Sequence, residues 1–228
     1  YEAADIAVLK FTPSFEVDTV PFADSYDVRT GEDVYAYGAP QGLEYSGTLT
    51  AGVVSMPIRM VSHDETNTYA AFIQNDAAIS PGNSGGALLD VNGEVIGMNT
   101  LKLVGEDIEG MGFALPSNTI QRMVGELEDT GSITPSDFGY TADTASTCGY
   151  DYGACIDSVE SGGTADALGL ESGDAIIGYK QEGMNDYTTI YNEDYLFRAV
   201  MDTRTGTNIT VRYVRNGTVS ESTTEPMQ

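Results

Sequence analysis

The chain has 228 residues, of which 41% are hydrophobic, and this is enough to bury a proper core in one large domain or two ordinary ones. Its 35 acidic and 10 basic residues give a net charge of −25, which argues against nucleic acid or an anionic membrane surface as a partner. No run of eighteen apolar residues occurs, so no membrane-spanning helix is predicted. The acidic surface favours solubility, and adaptation to a high-salt or extracellular setting is a second interpretation.

The first third of the chain alternates apolar runs with polar segments. Its apolar runs predict short buried strands at residues 6–11, 34–37, 48–56 and 69–74. Asp5 stands at the entrance of the first strand, and residues 12–32 are polar and irregular. A polar loop at 59–67 carries His63, the only histidine of the chain. The chain has no basic, apolar leader sequence, and it enters the first predicted strand almost at once, which is unusual for a natural N-terminus. We therefore expect the chain to be cut from a longer protein.

A polar turn rich in glycine follows the fourth of these strands. It reads Gly82-Asn83-Ser84-Gly85-Gly86 and leads into a short apolar run at 87–89. The glycines permit backbone angles that are barred to other residues. The N–H groups of Gly82 and Ser84 could flank the Ser84 hydroxyl and bind the negative oxygen of a tetrahedral intermediate. The pentapeptide by itself is equally compatible with an ordinary turn and with a loop that carries a catalytic nucleophile.

A strand at 94–103 and the clearest helix of the chain, at 116–131, follow this turn. The helix is predicted from a set of apolar residues at helical spacing, namely Ile120, Met123, Val124 and Leu127. Ser117 or Asn118 can cap its start, and Gly131 can end it. The acidic loop at 104–110 lacks the alternating ligands of a calcium site and is interpreted as a solvated connection. No metal site or cofactor is predicted.

The remaining residues have the pattern of a second domain, after a short polar linker at 132–136. Strands are predicted at 154–159 and 208–215, and a turn at 169–178 leads into another strand. Helices are predicted at 164–168 and 193–202. Cys148 and Cys155 are the only cysteines. The turn-like residues between them would let them face each other, so a disulfide is expected in an oxidising compartment, with two free buried thiols as the alternative.

Residues 72–89, which contain Ser84, resemble the HtrA (Deg) family of trypsin-like serine proteases. The resemblance also covers residues 5–10, 47–55, 93–100 and 112–116. It implies that Ser84 is the nucleophile, that Asp5 orients a catalytic histidine, and that the Gly82 and Ser84 N–H groups hold the oxyanion. In that family the histidine precedes the aspartate, and no histidine precedes Asp5. His63 follows Asp5 in a charged loop, so we interpret it as a solvated loop residue.

The same resemblance assigns three further features of the protease site. Ala78 takes the place of the floor of the primary specificity pocket, which implies small or medium apolar side chains before the cut. Asn83 stands where digestive relatives carry a buried aspartate, so activation by a processed N-terminus is not implied. The strand at 94–103 would pair with an extended substrate through main-chain hydrogen bonds.

The second half resembles a PDZ domain of the HtrA type, especially through the stretch from Gly169 to Ile177. In such domains a loop of apolar residue, glycine and apolar residue binds a peptide's terminal carboxylate through backbone N–H groups. Phe138, Gly139 and Tyr140 occupy the corresponding place. The alternative is that Phe138 and Tyr140 are plain strand-core aromatic residues, because the tyrosine-rich insert around Cys148 departs from the compact family pattern.

These expectations combine into a mostly-β protein. A trypsin-like protease domain over residues 1–131, with the second β-barrel and the end of the first, precedes an α+β PDZ domain over residues 137–228. The function implied is an extracytoplasmic endopeptidase that cleaves unfolded or damaged proteins, reads C-termini and forms trimer-based homo-oligomers. This chain would be inactive without the upstream segment that carries the histidine. The alternative is a non-catalytic peptide-binding or chaperone-like module on a protease scaffold.

Overall fold

A computed structural model describes residues 6–62, 69–102 and 110–224. The chain divides into two compact units, Tyr1–Gly131 and Ser132–Gln228, and each contains its own sheet and core. Within the described ranges no helix has the length and apolar character needed to cross a membrane. The predicted mostly-β character of the chain is confirmed.

The first unit is a closed β-barrel of six strands in the order β1-β2-β3-β6-β5-β4. The strands are β1 Asp33–Gly38, β2 Thr48–Ser62, β3 Tyr69–Asn75, β4 Ala87–Leu89, β5 Val95–Lys102 and β6 Gly112–Pro116. All neighbouring pairs are antiparallel. Small and branched apolar side chains fill the interior, among them Val34, Ala36, Val54, Ile73, Leu88, Ile96 and Ala114. Closure pairs both edges of the sheet and holds the connection between β3 and β4 at one end of the barrel.

Strand β2 runs six residues beyond its predicted end at residue 56. The predicted strand stops directly before Pro57, which has no N–H to donate to the hydrogen-bond ladder of a sheet. The register between β2 and β3 shifts twice between Val54 and Arg59, as a β-bulge does, and Pro57 is buried there. The strand therefore continues past the proline instead of ending at it.

The predicted strand at residues 6–11 is wrong. These residues adopt no regular structure, and no strand of the described chain pairs with them. Leu9 is 86% exposed and Phe11 is 70% exposed. A strand needs a neighbour to accept its backbone hydrogen bonds, and an apolar run does not report whether one is present. The irregular character expected of residues 12–32 holds except for an isolated parallel bridge between Phe22 and Val95.

Helix α1, Ser117–Thr130, closes the first unit, and it ends as expected. Gly131 adopts a φ of 75° and its N–H donates to Leu127 O at 3.0 Å. The predicted caps are wrong, because Pro116 precedes the helix and no side chain caps it. Asn118 Oδ1 instead accepts from the backbone N–H of Ser25 at 2.8 Å. The polar residues at the helix start therefore fasten the irregular segment to the barrel.

The second unit is a sheet in the order β12-β11-β9-β8-β7, with β10 beside β9. Its strands are β7 Tyr140–Thr144, β8 Ala154–Val159, β9 Ala175–Gln181, β10 Thr188–Thr189, β11 Ile209–Arg215 and β12 Thr218–Thr223. Helices α2, Thr164–Ala167, and α3, Glu193–Met201, complete it. The core contains Phe138, Ile156, Leu168, Ile176, Tyr179, Leu196 and Val211. Asn216 and Gly217 form the tight turn between β11 and β12, both at positive φ.

Cys148 and Cys155 are joined in a disulfide, with Cα atoms 5.7 Å apart. The bond spans the connection between β7 and β8, which includes a short 3₁₀ helix at Ala145–Cys148. Oxidised cysteines are typical of proteins outside the cytoplasm, and the bond constrains the unfolded chain.

An ion pair between a partly exposed arginine and a buried aspartate fixes the turn before β9. Asp174 is only 1% exposed, and Arg215 donates to it from Nε at 2.7 Å and from Nη2 at 2.6 Å. Arg215 Nη2 also donates to Gly169 O at 2.7 Å. These bonds raise the pKa of the Arg215 guanidinium above its ordinary value. The pair thereby fastens the end of β11 to the turn at 169–174.

We expect Arg215→Ala to lower the free energy of unfolding of the second unit by about 3 kcal/mol, because it leaves the buried Asp174 carboxylate with the Glu171 N–H at 2.8 Å but without a positive charge beside it. Urea unfolding followed by tyrosine near-ultraviolet circular dichroism measures this. Arg212→Ala is the matched control on the same strand. Arg212 pairs with Glu221 where both side chains are well exposed, so its loss should cost much less. Equal losses for the two variants would contradict the assignment.

Candidate active site

Ser84 lies in the exposed turn between β3 and β4. Its hydroxyl donates to Thr100 O on β5 at 3.1 Å. The residues on both sides of it are held by backbone hydrogen bonds, one to β5 and one within the turn. Gly85 N–H donates to Asn99 O at 2.7 Å, and Asn83 N–H donates to Ser80 O at 2.9 Å. The serine therefore stands at a fixed position with its hydroxyl open to solvent.

The glycines of this turn are needed for two different reasons. Gly82 and Gly85 have φ values of 103° and 81°, which confirms the expectation of angles barred to other residues. Gly86 has no positive φ, so that explanation is wrong for it. A Cβ at Gly86 would lie 2.1 Å from Tyr37 O, so this glycine allows β1 and the turn to approach each other. Gly86 is required for space and not for its backbone angles.

The turn offers two backbone N–H donors, those of Gly82 and Ser84. Among the described residues, neither the Gly82 N–H nor the Ser84 N–H donates a hydrogen bond to a protein acceptor. The turn cannot swing freely, since Gly82 O accepts from Ala39 N–H at 3.2 Å and Pro81 O accepts from Gln41 N–H at 2.8 Å. Preorganised backbone donors beside a hydroxyl are the elements that acyl transfer needs for its oxyanion.

Ala78 lines a cleft of about 190 Å³ in the first unit. The lining residues come from the end of β3 and from the approach to β6, namely Asp76, Ala77, Ala78, Ile79, Gly110, Met111 and Gly112. Ala78 O accepts from Asn83 Nδ2 at 3.3 Å and from Thr50 Oγ1 at 3.0 Å. Asp76, the one charged residue of the lining, already accepts from Val53 N–H at 2.6 Å. The cleft is small and mostly apolar, and it adjoins the serine turn through Asn83.

Asn83 connects the cleft to strand β1, and sequence reasoning missed this link. Asn83 is 1% exposed as a residue, and its Oδ1 has no hydrogen-bond partner among the described residues. A Cβ at Gly38 would lie 2.6 Å from that oxygen, so Gly38 must be a glycine for the turn to pack against β1. The role of Thr100 as acceptor for Ser84 was missed as well, although its stretch belongs to the matched motifs. A backbone carbonyl gives no signal in a sequence.

The other two residues considered for a triad, Asp5 and His63, lie outside the described residues. The structure thus brings together Ser84, Gly82 and Ala78, and it does not place Asp5 or His63. A carbonyl oxygen such as Thr100 O accepts a hydrogen bond but does not take up a proton at neutral pH. The described residues contain no imidazole that could act as the base. In the same ranges no cluster of three or more His, Cys, Asp or Glu side chains could hold a metal ion.

Phe138, Gly139 and Tyr140 form a loop at the start of β7 in the second unit. Phe138 is a buried core residue whose ring packs edge-to-face against Tyr140, with the centroids 5.1 Å apart. Burial raises the pKa of the Tyr140 hydroxyl above its ordinary value. Gly139 has a φ of 67° and its N–H donates to Asp137 Oδ1 at 2.8 Å. The aromatic residues serve the core while the glycine shapes the loop, so the two interpretations of this stretch are compatible.

Residues 1–98 match the family model of the trypsin-like peptidase domain. The chain is 36% identical to the serine protease Do-like HtrA of Bacillus subtilis (strain 168), over 93% of this chain and 50% of that protein. It is 34% identical to a probable periplasmic serine endoprotease, DegP-like, of Chlamydia trachomatis, over 95% of this chain and 43% of that protein. The chain belongs to the HtrA family of trypsin-like serine proteases. It spans about half the length of the curated relatives it matches.

Solved structures of HtrA-type proteases agree with this assignment. The protease AlgW with a tripeptide matches 92% of this chain and 71% of its own, at 29% identity and a TM-score of 0.55. AlgW with a decapeptide matches 92% of this chain and 64% of its own, at 29% identity and a TM-score of 0.52. The predicted trypsin-like barrel and the predicted HtrA membership are confirmed.

Proposed function

We propose that the natural protein is an HtrA-type serine endopeptidase. In it Ser84 attacks the peptide carbonyl, a histidine from an upstream segment takes the serine proton, and Asp5 orients that histidine. The N–H groups of Gly82 and Ser84 hold the oxyanion. The observation that carries the proposal is the fixed turn at Ser84, which presents an exposed hydroxyl together with two backbone N–H groups that donate to no acceptor in the described part of the chain.

The cleft beside the turn supports a substrate preference. The cleft is small, and its lining is mostly apolar. Ile79 and Gly112 approach each other so closely in this lining that a Cβ at Gly112 would lie 2.9 Å from Ile79 Cγ1, and Ile79 therefore narrows the cleft. Such a cleft accepts a small or medium apolar side chain before the cut. After Asn99, which bonds to the serine turn, β5 has no strand partner on its β4 side among the described residues. An extended segment that pairs there uses main-chain hydrogen bonds, so the substrates are unfolded or damaged proteins of varied sequence.

The setting we propose is extracytoplasmic, with a trimer-based homo-oligomer as the assembly. The Cys148–Cys155 disulfide is typical of an oxidising compartment, and one relative carries the description of a periplasmic protease. We assign the second unit to a PDZ domain that holds substrate peptides, C-termini among them. Its strand β7 ends the sheet of the described residues, so an extended peptide can add beside it.

A cleavage assay on the full-length gene product tests the protease proposal. We expect cleavage of a reduced and alkylated protein, little cleavage of its folded form, and loss of activity by at least about 10³-fold in Ser84→Ala. Ser80→Ala is the matched control in the same turn, because only the backbone carbonyl of Ser80 is used there. Undiminished cleavage by Ser84→Ala would refute Ser84 as the nucleophile.

A second candidate function is peptide binding without catalysis. It is favoured by the hydroxyl of Ser84, whose acceptor among the described residues is a carbonyl and not a base. A binding module would hold unfolded peptides equally well in the wild-type protein and in Ser84→Ala, and its full-length form would cleave nothing. Cleavage by the full-length protein that depends on Ser84 excludes it.

A further inference from the structure

The N–H of Gly139 in the loop at the start of β7 already has a carboxylate acceptor. Asp137 directly precedes the loop, and its Oδ1 lies 2.8 Å from the Gly139 nitrogen. Gly139 is buried and its φ is 67°, a value that lets successive N–H groups of a loop converge on one anion. The acceptor of this buried donor is therefore supplied by the chain itself.

The loop is held on both sides, so the Gly139 N–H cannot turn to another acceptor. Phe138 O accepts from Ala165 N–H at 2.8 Å, and Gly139 O accepts from Glu160 N–H at 2.9 Å. Thr164 Oγ1 donates to Asp137 O at 3.3 Å. Any other anion that uses the Gly139 N–H must displace the Asp137 carboxylate from it.

The open edge of β7 does not depend on that N–H. Because Glu160 N–H bonds to Gly139 O, the next pair, Tyr140 and Val159, is the non-hydrogen-bonded pair of the antiparallel ladder. Tyr140 then directs its own N–H and C=O away from β8, towards the edge where no described strand lies. An extended segment can pair there without a terminal carboxylate.

The charges around the loop oppose a second carboxylate. A Cβ built on Gly139 would lie 3.5 Å from Glu160 Cβ, so this acidic residue adjoins the loop. No arginine or lysine of the described residues pairs with Asp137 or Glu160. An incoming free C-terminus would lie beside two carboxylates, whereas a basic side chain would be attracted to them.

We propose that the Asp137 side chain takes the place of a peptide's terminal carboxylate at the loop of Phe138, Gly139 and Tyr140. The open edge of β7 then prefers an internal, basic, extended segment of an unfolded chain to a free C-terminus. This inference rests on the proposed peptide-binding role of the second unit. The edge of β7 would then bind internal segments of a chain in preference to its C-terminus. An unfolded protein contains many internal segments but only one C-terminus.

The test compares two forms of one ten-residue peptide of alternating lysine and apolar residues that ends in valine, made as the free acid and as the C-terminal amide. Fluorescence anisotropy with the full chain should show the amide binding about tenfold more tightly. Asp137→Asn keeps a side-chain oxygen for the Gly139 N–H but removes the charge. We expect it to tighten the free acid, because one repelling carboxylate is lost, and to weaken the amide, because its lysines lose one attracting carboxylate. The tenfold difference between the two forms should therefore fall to less than about twofold.

Asp186→Asn is the charge-matched control, since Asp186 is exposed in the connection between β9 and β10. It should change neither affinity. If the free acid binds wild type at least as tightly as the amide, or if Asp137→Asn leaves it unchanged, the inference about Asp137 is overturned and the peptide-binding role stands. If neither the free acid nor the amide binds to the wild-type chain or to the variants Asp137→Asn and Asp137→Ala, the peptide-binding role fails. The inference about Asp137 then fails with it.

Discussion

The chain alone should react with a fluorophosphonate probe at least about 10³-fold more slowly than the same chain supplied with the upstream part of its own protein. A positioned general base contributes factors of this size, and a serine hydroxyl without one is a poor nucleophile. In the structure Ser84 donates to a backbone carbonyl, which leaves its proton in place. In-gel fluorescence of the labelled serine, sampled over time, measures both rates.

The Ser84→Ala variant should remain unlabelled in both mixtures, and this would show that the probe labels Ser84. A His63→Ala variant should label like the unchanged chain when the upstream part is present, because the base is expected to come from that part. Rapid stoichiometric labelling of the chain alone would refute its proposed inactivity. It would also require a base within the residues of this chain.

The sequence predicted those elements that depend on local chemistry. The strand expected at 154–159 and the helix end at Gly131 were found where they were expected. Their signals, an apolar run between glycine-rich turns and a glycine with positive φ, belong to the residues themselves. The strand at 6–11 failed because its formation depends on a partner strand that the run cannot report. The cap residues of α1 failed for a similar reason, since Ser117 and Asn118 bond to a segment far away in sequence.

The same distinction applies to the site. Ser84 and its glycine turn could be found from the motif, because the turn requires those residue types in that order. The acceptor for the Ser84 hydroxyl, Thr100 O, could not, because any residue carries a carbonyl. The need for Gly38 and Gly86 arises from how closely β1 approaches the turn, and only the folded barrel defines that distance.

Gly86→Ala should lower the free energy of unfolding of the barrel by about 3 kcal/mol and abolish labelling of Ser84 in the reconstituted protein. Its new Cβ would lie 2.1 Å from Tyr37 O and 2.8 Å from Asn83 O, and both are backbone atoms that cannot move aside as a flexible side chain can. Relief of the overlap requires β1 and the turn to separate. Separation would displace Ser84 from Thr100 and shift the two oxyanion donors.

Gly85→Ala is the matched control one residue earlier in the same turn. No atom lies within 4 Å of a Cβ at that position, so the variant carries only the strain of an alanine at a φ of 81°, about 1 kcal/mol. Hydrogen exchange of β1 and β4, with the second unit as internal reference, measures the loss for each variant. Gly85→Ala should keep most of its labelling rate. If Gly86→Ala were no more damaging than Gly85→Ala, the barrel would not hold the serine turn through this contact, and the fixed geometry on which the protease proposal rests would have to come from elsewhere.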